Sequence, residues 1–174
     1  KGRDQRGVSL LDVACGNGRF LKTVMNVWPR LKAAGLDLSP NYTDAARGRL
    51  APWPQVEVFH EAAEAMPLPD ASRDIVVSIF LFHELPPEVR APVLAEVFRI
   101  LKPGGLFVLA DSVQFGDHDS IDGVLEYFPH GFHEPYYDSY LAWDVDAAAI
   151  GQGFVKERET LAFLTKVTTW RRPL

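Results

Sequence analysis

The run from Val8 to Val13 passes directly into Ala14-Cys15-Gly16-Asn17-Gly18 and then into Arg19 and Phe20. The first part is a largely apolar stretch and reads as a buried strand. The middle is a loop of small residues, and an amphipathic helix opens at its far end. Gly16 and Gly18 carry no side chain, so a ligand can approach the backbone closely. The amides that start the helix point toward such a ligand. Asp12, near the end of the strand, puts a carboxylate beside the same loop. A dinucleotide fingerprint requires a third glycine three residues after Gly18, where Leu21 stands, and a phosphate loop requires a Gly-Lys-Ser/Thr ending, which is absent. Asp12, Ala14, Gly16 and Gly18 remain, an acid followed by small residues at every second position. A plain strand-to-helix turn is the alternative.

Taken in order, the chain continues the alternation. Phe20, Leu21, Val24, Met25 and Trp28 recur at helical spacing from Gly18 to Trp28, and Pro29 stops the helix. Leu31 to Leu38 reads as a second strand. Asp37 lies nineteen residues after Gly18, where an acid at a strand tip can accept both hydroxyls of a ribose. Ser39 before Pro40 is the expected helix cap, which leaves Asp37 for the ribose. A helix follows from Asn41 to Leu50, then strands over Gln55 to His60 and Asp74 to Phe80. A long helix spans Pro87 to Leu101 and stops at Lys102-Pro103-Gly104-Gly105. Leu106 to Ala110 forms the next buried strand, with Asp111 at its tip. Asp111 to Tyr140 reads as less regular. A last helix covers Trp143 to Ile150, and Val155 to Leu161 with Phe163 to Arg171 reads as a closing antiparallel hairpin. Strands alternating with helices imply a doubly wound parallel α/β sheet, to which the hairpin adds one antiparallel strand.

Composition narrows the function. With 174 residues, 47% hydrophobic, the chain can build the core of one domain. It has no apolar run of membrane-spanning length and no signal-peptide pattern at its start. A net charge of −5 disfavours nucleic acid as a partner. The single cysteine, Cys15, excludes an internal disulfide framework and fits a reducing compartment: the cytoplasm, or an organelle stroma or matrix if a targeting segment was removed. Asp117-His118-Asp119 is a poor metal site, because adjacent side chains diverge, and no metal is expected.

The acid-small-Gly-Gly loop resembles the first motif of class I S-adenosylmethionine-dependent methyltransferases, with Ala14 in place of the first glycine. Three later segments resemble that family in the same order. Ala62 to Asp74 is similar to its Asp-Ala-Glu-x-Leu-Pro-Phe-Pro-Asp-x-Ser-Phe-Asp segment, Leu81 to Pro86 to its Leu-His-His/Glu-Leu-Pro, and Arg99 to Gly105 to its Arg-x-Leu-Lys-Pro-Gly-Gly. The resemblance covers about residues 8 to 112. It is strongest to the small-molecule branch that includes ubiquinone/menaquinone C-methyltransferases.

The resemblance implies a Rossmann-like seven-stranded sheet of order 3-2-1-4-5-7-6, with S-adenosylmethionine across the carboxyl ends of its strands. Asp12, Ala14, Cys15, Gly16, Asn17 and Gly18 would form the cofactor loop. Asp37 would take the ribose, Leu38 one face of the adenine, and Phe80 the methionine part. Ala62 stands where the family's Asp bonds the adenine amino group, so the backbone of Ala62 and Ala63, or a displaced Glu61, would serve that edge. Candidate bases are His83, His133, Glu134 and Tyr137. Phe132 to Tyr140 is expected to wall an acceptor pocket opposite Phe82 and His83, or else merely to pack its loop.

Cys15 sits in the cofactor loop rather than as an attacking thiol. The segment after Phe80 also lacks the Asn/Asp-Pro-Pro-aromatic pattern of nucleic-acid amine methylases. The expected acceptor is therefore a small molecule, with self-association of copies left open. Residues 1–174 are expected to form one domain without the helices the family usually carries before its first strand. The competing functions are a S-adenosylmethionine-binding module that transfers nothing and a nicotinamide-dependent oxidoreductase.

Overall fold

The computed structural model describes residues 7–118 and 120–174. The chain folds into one seven-stranded sheet flanked by helices. In chain order the elements are β1 (Ser9–Val13), α1 (Arg19–Val27), β2 (Lys32–Asp37), α2 (Pro40–Leu50), β3 (Glu57–His60) and β4 (Arg73–Ile79). A 3₁₀ turn at Phe82–Glu84 follows, then α3 (Pro87–Ile100), β5 (Leu101–Ser112), α4 (Asp122–Gly131), α5 (Tyr137–Leu141), α6 (Val145–Gly151), β6 (Val155–Ala162) and β7 (Thr165–Arg171). The strand order is β3-β2-β1-β4-β5-β7-β6, parallel except for β7, which runs antiparallel to both neighbours. This is the doubly wound α/β sheet expected from the alternation of elements.

Strand alternation sorts the core into two faces. Leu11 and Val13 of β1, Leu36 of β2, Val76 of β4 and Phe107 of β5 face one side, under Val93, Leu94 and Val97 of α3 and Ala149 of α6. Leu10, Ala33 and Val77 face the other, under Leu21, Val24 and Met25 of α1 and Ala46 and Leu50 of α2. Each Val, Leu, Met or Phe among these contributes on the order of 1.5–3 kcal/mol by leaving water. Gly35 allows α1 to lie close on β2: a Cβ there would stand 2.7 Å from Cys15 Sγ and 2.9 Å from Leu21 Cδ1. The strand order reverses on either side of β1, so the carboxyl ends of β1, β2 and β4 open a crevice.

Two segments differ from the sequence reading. The strand after α3 starts at Leu101 rather than Leu106. Its pairing with β4 jumps from Arg73–Leu101 to Ile75–Leu106, so the turn expected at Lys102–Gly105 is present as a bulge inside the strand. The stretch after Asp111 contains α4 and α5, because Ile121, Leu125 and Phe128 recur at helical spacing and cover Val113, Tyr137 and Leu141. Gly123, Pro129 and Gly131 obscure that spacing, since each lowers helix propensity. No helix among the described residues is long and apolar enough to cross a membrane.

Candidate cofactor and acceptor site

A cavity of about 690 Å³ fills the crevice at the carboxyl ends of β1, β2 and β4. Its floor is the loop after β1. Ala14, Gly16 and Gly18 have φ of 59°, 52° and 76°, so alternate residues turn left-handed and coil the loop tightly. Such a conformation costs an alanine roughly 1–2 kcal/mol, which the surroundings must offset. They do so through hydrogen bonds. The Cys15 N–H donates to Leu36 O (3.0 Å), the Gly18 N–H to Cys15 O (2.9 Å), and the Gly16 N–H to Asp37 Oδ2 (2.8 Å). Arg49 of α2 donates to Asn17 O (2.5 Å). A Cβ built on Gly16 would meet nothing within 4 Å, so this face of the loop is open.

Asp37 terminates β2 and is buried. Its Oδ1 accepts the Ser39 N–H at 2.9 Å, and Ser39 Oγ in turn accepts the Tyr42 N–H at 3.4 Å to cap α2. Leu38 projects beside it, 68% exposed, with its carbonyl held by His60 Nε2 at 2.9 Å. Phe80 follows β4 with φ of 54°, a genuine outlier for a bulky residue, and is pinned by its N–H to Ala110 O (2.8 Å). Strained residues collect where a ligand must be met, and Ala14 and Phe80 both line the cavity.

The charged side chains of the lining are Asp37, Glu64 and Glu84, all acidic. Beneath the loop, Asp12 is 1% exposed, and its Oδ2 has no partner among the described residues. Burial, and then the charge of Asp37, push its carboxyl up to about 8. Burial, and then the charges of Asp12 and Asp37, push the Cys15 thiol up to about 12, which removes it as a thiolate nucleophile. An acid-lined crevice over a buried carboxyl oxygen without a partner among the described residues, floored by open backbone, fits a nucleoside carrying a positively charged sulfur and an ammonium.

Of the residues expected to hold the cofactor, Ala14, Gly16, Asn17, Asp37, Leu38, Ala63 and Phe80 line this cavity. Asp12 and Cys15 lie under it, Gly18 packs against Ala46 and Leu50, and Ala62 stands outside the lining. Tyr42, Glu64 and Glu84 line it without having been singled out. Each lies a few residues beyond a strand end, which is the signal that would have located them.

The candidate bases separate. His83 presents 12% of its side chain to solvent, and its Nδ1 lies 2.6 Å from Oδ1 of buried Asp111. Burial lowers its pKa, but the hydrogen bond to Asp111 and the charges of Asp111, Glu84 and Glu134 outweigh this and hold it above the ordinary value. Tyr137 is buried, with its hydroxyl 2.6 Å from Ser112 Oγ. Glu134 is half-buried and His133 exposed. The expected wall takes another form. Phe82 is fully buried and stacks on Trp143 at 5.7 Å, Phe132 stacks on Phe128 at 4.6 Å, and no residue from Phe132 to Tyr140 lines the cavity. Phe80, Leu81 and Glu84 form that side instead. Among the described residues no three His, Cys, Asp or Glu side chains gather as metal ligands, and Asp119 lies outside those residues.

Comparison with known proteins places this geometry in a family. Residues 10–105 match the family model described as a methyltransferase domain. A demethylmenaquinone methyltransferase of Listeria welshimeri is 34% identical over 115 residues, covering 64% of this chain and 48% of the relative. One from Lysinibacillus sphaericus is 32% identical over 109 residues, covering 62% and 46%. The chain thus spans about half the length of these curated relatives. The crystal structure of a SAM-dependent methyltransferase from Aquifex aeolicus superposes with a TM-score of 0.75, covering 97% of this chain and 84% of that one at 21% identity, a likeness of fold.

Proposed function

The chain belongs to the methyltransferase-domain family, whose cofactor is S-adenosylmethionine, and from that premise we propose that it transfers the cofactor's methyl group to a small organic acceptor by in-line displacement. The observation that carries this reading is the acid-lined cavity over the Ala14–Gly18 loop, with Asp37 bonded to that loop. When bound, the cofactor supplies an electrophilic methyl carbon on a positively charged sulfur. Asp37 offers its remaining lone pairs to the ribose hydroxyls, and Leu38 and Tyr42 flank the adenine, whose edge meets the backbone at Ala63. Gly16 and Asn17 leave room for the methionine part, which Phe80 borders. Asp37, Glu64 and Glu84 make the site acidic, which favours a sulfonium over its neutral product. Positioning of the reacting atoms contributes about 7–11 kcal/mol in favourable cases, so a base is an addition rather than a requirement. None of the candidate bases lines the cavity; His83, with Nε2 3.9 Å from Oε1 of the lining residue Glu84, is the one placed beside it, and His133, Glu134 and Tyr137 are candidates from the sequence alone.

The names of the curated relatives make a demethylated quinol the first acceptor to test. A single buried cysteine and the lack of a membrane-crossing helix among the described residues support work in the cytoplasm, or in a stroma or matrix. The test is a label-transfer assay with methyl-labelled S-adenosylmethionine and a panel of acceptors including demethylmenaquinol, other phenols and amines. Label moving into one small-molecule class is the expected result. Cofactor binding with no transfer to any of them would reduce the protein to a binding module and overturn the proposal.

A further inference from the structure

We propose that Asp111 is a positioning residue that fixes the imidazole of His83 with Nε2 as its open nitrogen, and that the acceptor gives its proton to Nε2 as it takes the methyl group. This rests on the methyl-transfer reading above.

Asp111 is 1% exposed at the end of β5. Its Oδ2 accepts the Phe82 N–H at 2.8 Å, and its Oδ1 accepts the Ser112 N–H at 2.7 Å. Both oxygens accept from backbone, and Nδ1 lies 2.6 Å from Oδ1, so we assign Nδ1 as the nitrogen that donates to Asp111. In the neutral ring this makes Nδ1 the donor and Nε2 the lone-pair nitrogen. Nε2 has no hydrogen bond among the described residues and is not sealed from solvent. It lies 3.9 Å from Oε1 of Glu84, which lines the cavity, and the ring meets the edge of Phe80 at 6.2 Å, on the same wall.

The groups facing His83 make it a stronger base. Asp111 comes from β5, Glu84 from its own turn and Glu134 from the segment before α5, and all favour the imidazolium. The rings of Tyr137 and Tyr140 stand edge-on at 5.9 and 6.1 Å, with their hydroxyls held by Ser112. Arg90 of α3 donates to the carbonyls of Phe82, Leu85 and Tyr136 and to Ser139 Oγ.

The proton step balances. A bond forms between the acceptor atom and the methyl carbon. The carbon–sulfur bond breaks with its electron pair left on sulfur, and the acceptor's proton moves to Nε2. One positive charge passes from sulfonium to imidazolium, beside Asp111, and leaves to solvent as a proton. A base so placed serves an acceptor that must lose a proton, such as a hydroxyl, and is worth roughly 10²–10⁴-fold in rate.

The test begins with ¹⁵N NMR of the imidazoles in protein saturated with S-adenosylhomocysteine. His83 should show the Nδ1–H tautomer and a titration midpoint above about 6.5, the unperturbed value. In Asp111→Asn the midpoint should fall by roughly one unit or more. The acid limb of kcat/KM, read with whichever acceptor the label assay finds, should move down in pH by the same amount, and His83→Gln should lose about a hundredfold or more in kcat. An Nε2–H tautomer, an unmoved midpoint or a His83→Gln variant with wild-type turnover would each overturn the proposal. The wild-type tautomer decides the first point even if Asp111→Asn does not fold. A reversed tautomer with transfer intact rejects this proposal alone; the expected tautomer with no transfer rejects the methyl-transfer reading and the proton step with it.

Discussion

Oδ2 of Asp37 accepts the backbone N–H of Gly16 at 2.8 Å, so the tip of β2 holds the loop that follows β1. One carboxylate is thus both a candidate ribose ligand and a brace for the cavity floor. Asp37→Ala should weaken S-adenosylmethionine binding ten- to hundredfold, equivalent to a charge-assisted hydrogen bond of roughly 1.5–3 kcal/mol. Asp37→Asn keeps one acceptor oxygen for the Gly16 N–H and should lose less stability. Calorimetry and thermal melts on the two variants separate the roles. Unchanged affinity in Asp37→Ala would remove Asp37 from the ribose.

Gly16 and Gly35 should respond in opposite ways. A methyl on Gly16 enters open cavity, at a φ of 52° that costs an alanine roughly 1–2 kcal/mol. Gly16→Ala should therefore lower cofactor affinity with a modest fall in melting temperature, and Gly16→Val should abolish binding while the sheet stays folded. Gly35→Ala forces a methyl against Cys15 and Leu21 and should cost about 1–3 kcal/mol of stability, because α1 must move off β2. Circular dichroism melts beside cofactor titrations check both.

Asp12 predicts a pH trend in stability. Its carboxyl is pushed up to about 8 in the fold, so between the ordinary carboxyl range and pH 8 the native state holds a proton that the unfolded chain has lost. Stability from this group therefore falls as pH rises through that window. Asp12→Asn removes the titration and should raise the melting temperature more at pH 8 than at pH 5. Equal shifts at the two pH values would contradict the assignment.

The alternation of strand and helix, and hence the sheet, was legible because short apolar runs alternate with segments of helical spacing from Val8 to Ala110. The loop floor and Asp37 were legible because they are contiguous with strand ends. The link between His83 and Asp111 was not. The two residues are 28 positions apart and meet only because β4 and β5 pair with Ile79 beside Ala110, which brings the segments beyond both strands together. The buried role of Phe82 was hidden for a related reason: Trp143, its stacking partner, arrives from the loop before α6.

Arg90 tests how firmly that region is built. Its guanidinium satisfies three carbonyls and Ser139 Oγ, joining the turn after β4 to α5. Arg90→Met should cost about 1–3 kcal/mol for each buried acceptor left unpaired, and it should loosen His83 as α5 separates. Hydrogen exchange at residues 82–86 and 137–141 should quicken together. Exchange unchanged in either segment would show that the arginine does not couple them.

The most direct test of the central claim is a calorimetric titration of the wild-type chain with S-adenosylmethionine, S-adenosylhomocysteine and NAD. Saturable one-to-one binding of the first two, abolished by Gly16→Val, with no heat from NAD, is the predicted result. Binding of NAD in the absence of any S-adenosylmethionine heat would contradict the assignment of the cavity and of the function drawn from it.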